Sequence, residues 1–303
     1  TSLLKEHIDL LLPSLHTIVG KSLESGIFPN DLKVATVSPL IKKPSLDKEL
    51  FQNYRPVSNL PYLGKLIERV AGKQLQEYRS ENNLYAKCQS AFREYHSTET
   101  ALTKIVNDVL LDMDNRKCVL LVLLDLSAAF DTVNHDLLLQ CLEEDFGISG
   151  MVLGWMHSYL TDRTQSVAIS GTSSRPQELT VGLPQGSIVG PGEFPTYTAP
   201  LFRIAHKHGI CIHMYADDTQ LYLSFDPTSF EEARSRMEQC LQEMRLWMAN
   251  HHLKLNDQKT EFLVLGNKSS LRKVPGQHTI LIGDSTIQAS DHAKNIGAIM
   301  DSQ

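Results

Sequence analysis

Three carboxylates stand where strand ends would hold them out. Asp125 follows the unbroken apolar run 118–124, and Asp217-Asp218 lies between a second apolar strand, 210–214, and a third strand, 219–224. Seven apolar residues ending in a polar break read as a strand buried on both faces. Asp217 and Asp218 read as the two-residue turn of a hairpin, a position that suits Asp sterically. If the 118–124 strand pairs beside that hairpin, Asp125 and Asp217 project side by side at one sheet edge. Like charges that close repel strongly unless cations neutralise them. Hard oxygen donors in small number fit Mg²⁺, which keeps several waters and bridges to substrate phosphates. Two such ions, about 3.5–4 Å apart, can activate an attacking hydroxyl and stabilise a leaving pyrophosphate. Taken alone, Asp-Asp is common in turns and an Asp after a strand often caps the next helix, so the doublet by itself leaves a structural role open.

Other chemistry-bearing residues form no such group. The cysteines, Cys88, Cys118, Cys141, Cys211 and Cys240, are odd in number and scattered, which indicates neither a disulfide framework nor a zinc site. The twelve histidines are dispersed, and pairs such as His251-His252 lack further ligands nearby. A reducing, intracellular setting follows from this cysteine usage.

The elements that must carry the carboxylates can be read from periodicity. The stretch 34–41 alternates weakly and contains Pro39, which predicts an edge strand at best. Residues 63–78 have helical apolar spacing interrupted by Gly72. Ser97 can cap a helix from 98 to about 111 with Leu102, Ile105, Val106, Val109 and Leu110 as its inner stripe. Helical periodicity resumes at Ala128 and stops near Gly147. The span 229–250 is strongly amphipathic, with Ala233, Met237, Cys240, Leu241, Met244, Trp247 and Met248 on one face. A short strand at 261–265 ends at Gly266, and Gly283-Asp284 joins a hairpin. Strand, helix, hairpin, helix, strand in that order is the pattern of a split βαβ sheet with helices on one face, and the fold class is α+β.

The chain has 303 residues, 42% apolar, 21% charged and 7% aromatic. That is ordinary globular composition, which excludes a disordered, collagen-like or coiled-coil chain. Its formal charge of −6 argues against a simple basic nucleic-acid-binding module, though not against an enzyme with a local groove. Residues 1–75 hold ten basic and seven acidic side chains, net +3, whereas 111–160 hold two and eight, net −6. A basic lobe before an acidic centre suits a protein that grips an anion with one part and metal with another. The longest apolar run is far too short to cross a bilayer, so no membrane partner is expected. Thr1 opens the chain and no terminating element closes it, which reads as a piece of a longer polyprotein.

A resemblance to a known family rests on several segments in order. Tyr215-Ala216-Asp217-Asp218 is similar to the YxDD box of reverse transcriptases. The segment from Leu124-Asp125-Leu126-Ser127 through Phe130-Asp131 to Asn134-His135 resembles the first aspartate motif of LINE-type, or non-LTR, retrotransposons, and Leu183-Pro184-Gln185-Gly186 resembles their PQG motif. Tyr54-Arg55-Pro56-Val57, Leu253-Lys254-Leu255-Asn256 with Lys259-Thr260-Glu261, and Asn295-Ile296-Gly297 with Asp301 complete the family order over about residues 25 to 301. The resemblance implies the fingers and palm of a right-hand polymerase: fingers mainly over 1–115, palm over 116–266 with a fingers insertion near 147–180, and a palm/thumb hairpin over 267–303 with the thumb largely absent.

It further implies RNA- and DNA-templated addition of dNTPs to a primer 3′-hydroxyl. Asp125, Asp217 and Asp218 are the implied catalytic set and ligands of two Mg²⁺ ions, with Mn²⁺ as a substitute. Lys259 is the implied donor of a proton to the leaving pyrophosphate. Phe130 resembles the steric gate that excludes a 2′-hydroxyl, the chemical handle that separates the two sugars. On residue type alone Phe130 reads equally as a core residue of the next helix. Gln185 and Gly186 resemble nucleotide-pocket residues, Gly186 letting the backbone approach closely. Arg55, Lys42 and Lys43 resemble residues that clamp the triphosphate, a task that suits the planar fork of Arg; Lys42-Lys43 alone would read as a solvated pair. Implied partners are an RNA template, a DNA primer, dNTPs and the flanking endonuclease and thumb regions, with the nucleus as the implied compartment.

One segment departs from the pattern. After Gln185-Gly186-Ser187 an apolar helix is expected, but the chain reads Gly190-Pro191-Gly192-Glu193-Phe194-Pro195. An interior Gly costs about 1 kcal/mol and an interior Pro about 3. These residues predict a distorted element, and their replacement by Gly192→Leu, Glu193→Leu and Pro195→Thr is expected to stabilise the chain. Two further readings follow: an inactive nucleic-acid-binding remnant that keeps the fold, and an unrelated metal-dependent phosphohydrolase with an Asp-Asp turn.

Overall fold

The computed structural model describes residues 6–302. In chain order the elements are α1 (Ile8–Ser25), β1 (Val34–Ile41), β2 (Tyr54–Asn59), α2 (Tyr62–Glu81), α3 (Thr98–Asp114), β3 (Cys118–Leu124), β4 (Leu126–Ser127), α4 (His135–Glu144), α5 (Gly150–Leu160) and β5 (Arg163–Ile169). There follow β6 (Thr172–Ser173), β7 (Gln177–Leu179), α6 (Gly190–Thr198), α7 (Leu201–Lys207), β8 (Cys211–Tyr215), β9 (Asp218–Phe225) and α8 (Phe230–Asn250). The chain closes with β10 (Lys254–Leu255), β11 (Glu261–Leu265), a helical turn α9 (Lys268–Leu271), and the hairpins β12 (Thr279–Ile282)/β13 (Ser285–Gln288) and β14 (His292–Asn295)/β15 (Ala298–Asp301). The folded chain forms two compact units. The first joins the residues up to 84 with 130–196, the second 85–129 with the residues from 197 onward. Residues 85–115 thus pack in the same unit as the strand that precedes Asp125, and residues 130–196 belong to the first unit.

In the second unit the sheet order is β11-β3-β9-β8, all antiparallel. Every residue of β3 is buried, as its unbroken apolar run requires. Antiparallel partners share a face, so Val119, Leu121 and Leu123 lie with Tyr222, Leu263 and Leu265. Ile105 and Val109 of α3 pack onto that face. Phe225 is paired with Cys118 on the other face, and its ring centre lies 5.9 Å from that of Phe230 at the start of α8. Helices therefore reach both faces of the sheet, where periodicity alone placed them on one. Ser97 and Thr100 form a capping box at the start of α3, but Val106 and Leu110 are exposed, so the stripe is narrower than expected.

In the first unit the sheet order is β2-β1-β5-β6, with β7 also on β5. β1 is an interior strand, parallel to β5 over Val34–Val37 and antiparallel to β2 over Thr36–Ile41, so that Thr36 and Val37 are paired on both sides. The edge-strand expectation for this stretch is thus corrected. Pro39 is accommodated because it lies beyond the β5 pairing and opposite Pro56, another residue without an N–H to leave unpaired. An aromatic cluster of Phe28, Trp155 and Tyr159 fills the core, with ring centres 5.3–5.7 Å apart. The helix expected from Ala128 begins only at His135, where Asn134 accepts a hydrogen bond from the Leu137 amide at 3.0 Å. The residues before it are β4 and a short 3₁₀ turn over Ala129–Asp131.

Candidate catalytic carboxylate site

Strand register brings the three aspartates to one end of the second unit's sheet. Leu124 pairs with Thr219, so Asp125 leaves β3 beside the start of β9. Tyr215 pairs with Asp218, which makes Ala216-Asp217 the two-residue turn and Asp218 the first strand residue. The turn was expected one residue later. Ala216 adopts φ 58°, the left-handed region that a Cβ resists, at a cost of order 1–3 kcal/mol. Partial desolvation at the sheet end and the charges of Asp217 and Asp125 hold the Asp218 carboxyl above the usual range. Asp218 therefore feels the negative charge of both other aspartates.

Asp125 is held from a second direction. β10 pairs with β4, placing Asn256 directly after the pair and opposite Asp125. The Asn256 amide donates to the Asp125 carbonyl at 2.8 Å and its side-chain Nδ2 to Asp125 Oδ2 at 3.2 Å. Lys259 Nζ lies 3.4 Å from the same Oδ2. Arg245 of α8 pins the loop through Asp257 at 2.5 Å. Leu124, Asp125, Asp218, Gln258, Lys259 and Lys294 line a cleft of about 390 Å³. Among the described residues no three Asp, Glu, His or Cys side chains are grouped to hold an ion unaided. The donors fit a cation that takes part of its shell from two or three carboxylates and the rest from water and phosphate oxygens, the habit of Mg²⁺.

The remaining expected residues belong to the first unit. Phe130 sits in the 3₁₀ turn, half-buried, its ring stacked on Phe194 of α6 at 4.7 Å. It is not part of a following helix. Gln185 Nε2 donates to Asp131 Oδ1 at 2.8 Å, and the Gln185 carbonyl accepts from the Ser58 amide at 2.7 Å. Gly186 has φ 129°, and a Cβ there would lie 2.5 Å from the Ser58 carbonyl oxygen. The close approach it permits is thus to β2 itself. Arg55 is exposed on β2 opposite Leu40, while Lys42 and Lys43 follow β1. Lys42 Nζ donates to the Gln52 carbonyl at 2.8 Å and Lys43 is exposed.

Residues 190–198 form a helix despite their Gly and Pro residues. Glu193 is buried, but it is not an unpaired charge. Arg79 Nη2 donates to both of its carboxylate oxygens, at 2.9 and 2.7 Å, and the Arg79 guanidinium lies 5.7 Å from the Phe146 ring centre. Asn256 and the Arg79–Glu193 pair went unread in the sequence as functional or supporting groups. Asn256 had a signal in its place before Lys259-Thr260-Glu261; Arg79 had none, since a basic residue on an amphipathic helix normally faces water.

With the carboxylate geometry in place, the comparison that decides the family is the match of residues 41–297 to the reverse transcriptase (RNA-dependent DNA polymerase) family. The chain belongs to that family. This reverse transcriptase segment is 30% identical over 251 residues to the probable RNA-directed DNA polymerase from transposon BS of Drosophila melanogaster, covering 81% of this chain and 27% of the relative. It is 29% identical over 268 residues to the RNA-directed DNA polymerase from mobile element jockey of the same species, covering 86% and 28%. The segment thus spans little more than a quarter of the curated relatives it matches. Among solved structures, apo telomerase from Candida tropicalis, truncated from its C-terminal domain, superposes with a TM-score of 0.60 at 9% identity, over 91% of this chain and 56% of that one. That likeness shows a shared polymerase fold. Among the described residues no helix is long and apolar enough to cross a membrane.

Proposed function

We propose that this chain is the polymerising part of a non-LTR retrotransposon protein, adding dNTPs to a primer 3′-hydroxyl on an RNA or DNA template. The observation that carries the reading is the register of β3, β9 and β8, which delivers Asp125, Asp217 and Asp218 to one sheet end within a reverse transcriptase segment. Asp125, Asp217 and Asp218 would hold two Mg²⁺ ions, which supply activation of the attacking hydroxyl and neutralisation of the departing pyrophosphate. Asn256 orients Asp125 from the backbone and the side chain together. Lys259 keeps a positive charge beside Asp125 and carries the proton offered to the leaving group. Phe130 fills the space of a 2′-hydroxyl, with Phe194 behind its ring fixing its position. Arg55 and Lys43 are free to meet phosphate oxygens; Lys42 joins them only by giving up the Gln52 carbonyl. Gln185 shapes the nucleotide pocket with its amide anchored on Asp131. The fingers are read mainly over 1–115 and the palm over 116–266 with a fingers insertion near 147–180, the sheet of the palm lying in the second compact unit. Of the three residues that favour the inactive-remnant reading, Gly192, Glu193 and Pro195, Glu193 no longer does so, because it is matched by a buried Arg79 rather than stranded.

The test is extension of oligo(dT) on poly(rA) with dTTP and Mg²⁺. Extension by the chain, lost in Asp217→Asn, is the expected result; equal extension by both would end the proposal.

A further inference from the structure

The turn that carries Asp217, with Ala216 at φ 58°, is also bonded from outside its own hairpin. β8 is the edge strand of its sheet, and the segment after Ala86 adds a rung to it. The Met214 amide donates to the Cys88 carbonyl at 2.7 Å, and the Ser90 amide donates to the Met214 carbonyl at 3.0 Å. Gln89 therefore pairs with Met214 in a parallel bridge. Its side chain turns inward and is only 3% exposed. Oε1 accepts from the Ala91 amide at 2.8 Å and from the Ala216 amide at 3.3 Å. Both partners are N–H donors, which settles which end of the side-chain amide is the oxygen. Nε2, by contrast, is buried and has no hydrogen-bond partner among the described residues.

A buried amide nitrogen without a partner is unfavourable, and a residue serving only to pack would be apolar. What glutamine provides here is an acceptor placed against Ala216. That residue has φ 58° and immediately precedes Asp217. Beside it, Ser90 Oγ and His213 Nε2 lie 3.0 Å apart and tie the same rung to β8. We infer that Gln89 is a positioning residue for Asp217: its carbonyl oxygen holds the Ala216 amide and fixes the turn that aims the carboxylate. The inference rests on Asp217 acting in the polymerase site, and it assigns Gln89 no contact with substrate.

The test uses the full 303-residue chain with Gln89→Met, which keeps the volume and removes the acceptor, and Gln89→Glu, which keeps an acceptor oxygen. Amide hydrogen exchange is read at Ala216, and dTTP incorporation on poly(rA)/oligo(dT) gives kcat and KM. In Gln89→Met, exchange at Ala216 should rise about tenfold, the worth of one hydrogen bond of ordinary strength. Its kcat should fall roughly 10- to 100-fold through a misplaced carboxylate, with little change in KM for dTTP. Gln89→Glu should restore protection at Ala216. Unchanged exchange at Ala216 in Gln89→Met would overturn the inference, as would faster exchange with an unchanged kcat. The exchange measurement needs no nucleotide, metal or turnover. A wild-type chain that fails to polymerise would therefore sink the reading of Asp217 while exchange still decides whether Gln89 holds the turn.

Discussion

Replacing Glu193 by leucine looks like a repair when the sequence is read alone, and the structure reverses that expectation. The Arg79 and Glu193 side chains are 4% and 1% exposed and meet through two hydrogen bonds. Glu193→Leu removes both acceptors and leaves a guanidinium buried, its Nε already without a partner among the described residues. Breaking one side of a buried pair typically costs about 3–5 kcal/mol. For a unit of this size that corresponds to a loss of roughly 6–20 °C in melting temperature. The consequence extends to Phe130, whose ring is stacked on Phe194 of the same helix. The double variant Arg79→Met/Glu193→Leu removes the stranded charge, and apolar replacement of a whole buried pair is typically neutral or stabilising by about 1–4 kcal/mol. Thermal and urea unfolding of wild type, both single variants and the double variant form the cycle. A Glu193→Leu protein as stable as wild type would refute the reasoning, and so would a double variant less stable than both singles.

Gly192→Ala should stabilise the first unit by about 1 kcal/mol, since the new Cβ meets nothing closer than Arg79 Nη1 at 3.7 Å; urea midpoints would show it. Gly186→Ala should destabilise by at least about 1–3 kcal/mol, because both φ 129° and the Ser58 carbonyl oppose a Cβ; unfolding at or above the wild-type midpoint would contradict this. The Asp218 pKa is raised in the folded chain, so its contribution to stability is full below about pH 4 and is lost as pH rises through the raised value. Without divalent cation, Asp218→Asn should therefore melt higher than wild type at neutral pH, with the gap closing below about pH 4. Burial pushes His213 down to about 4, so stability should decline as pH falls from about 6.5 through that value, measured as melting temperature against pH. Phe130→Val should raise ribonucleotide incorporation relative to dNTP; unchanged discrimination would remove Phe130 from the site.

The strands that carry the aspartates were legible because burial on both faces leaves a plain mark: seven apolar residues, then Asp125. The long helix at 230–250 was legible for the same reason, its inner residues recurring at helical spacing. What escaped was set by partners distant in sequence. β1 became interior only because β5, some 130 residues later, lies parallel to it, and no local pattern announces that neighbour. Val106 and Leu110 have helical spacing, yet the stripe that packs on the sheet is narrower than the apolar one. Glu193 read as damage because a charge in an apolar segment is unfavourable until its partner is known, and Arg79 lies 114 residues away. The hairpin of β14 and β15 was seen only as a motif fragment, since its strands alternate too weakly to stand out. Family membership in turn excludes the unrelated-phosphohydrolase reading that an Asp-Asp turn alone had left open.

The central claim is that Asp125 and Asp217-Asp218 make one cation-dependent site for templated nucleotide addition. Its most direct test is the rate of dTTP incorporation into oligo(dT) on poly(rA), titrated with Mg²⁺, for the wild type and Asp125→Asn. Incorporation that needs both the matching template and Mg²⁺, and that Asp125→Asn abolishes without loss of melting temperature, is the result this account predicts. Incorporation that persists in Asp125→Asn, or proceeds equally on a non-complementary template, would contradict it.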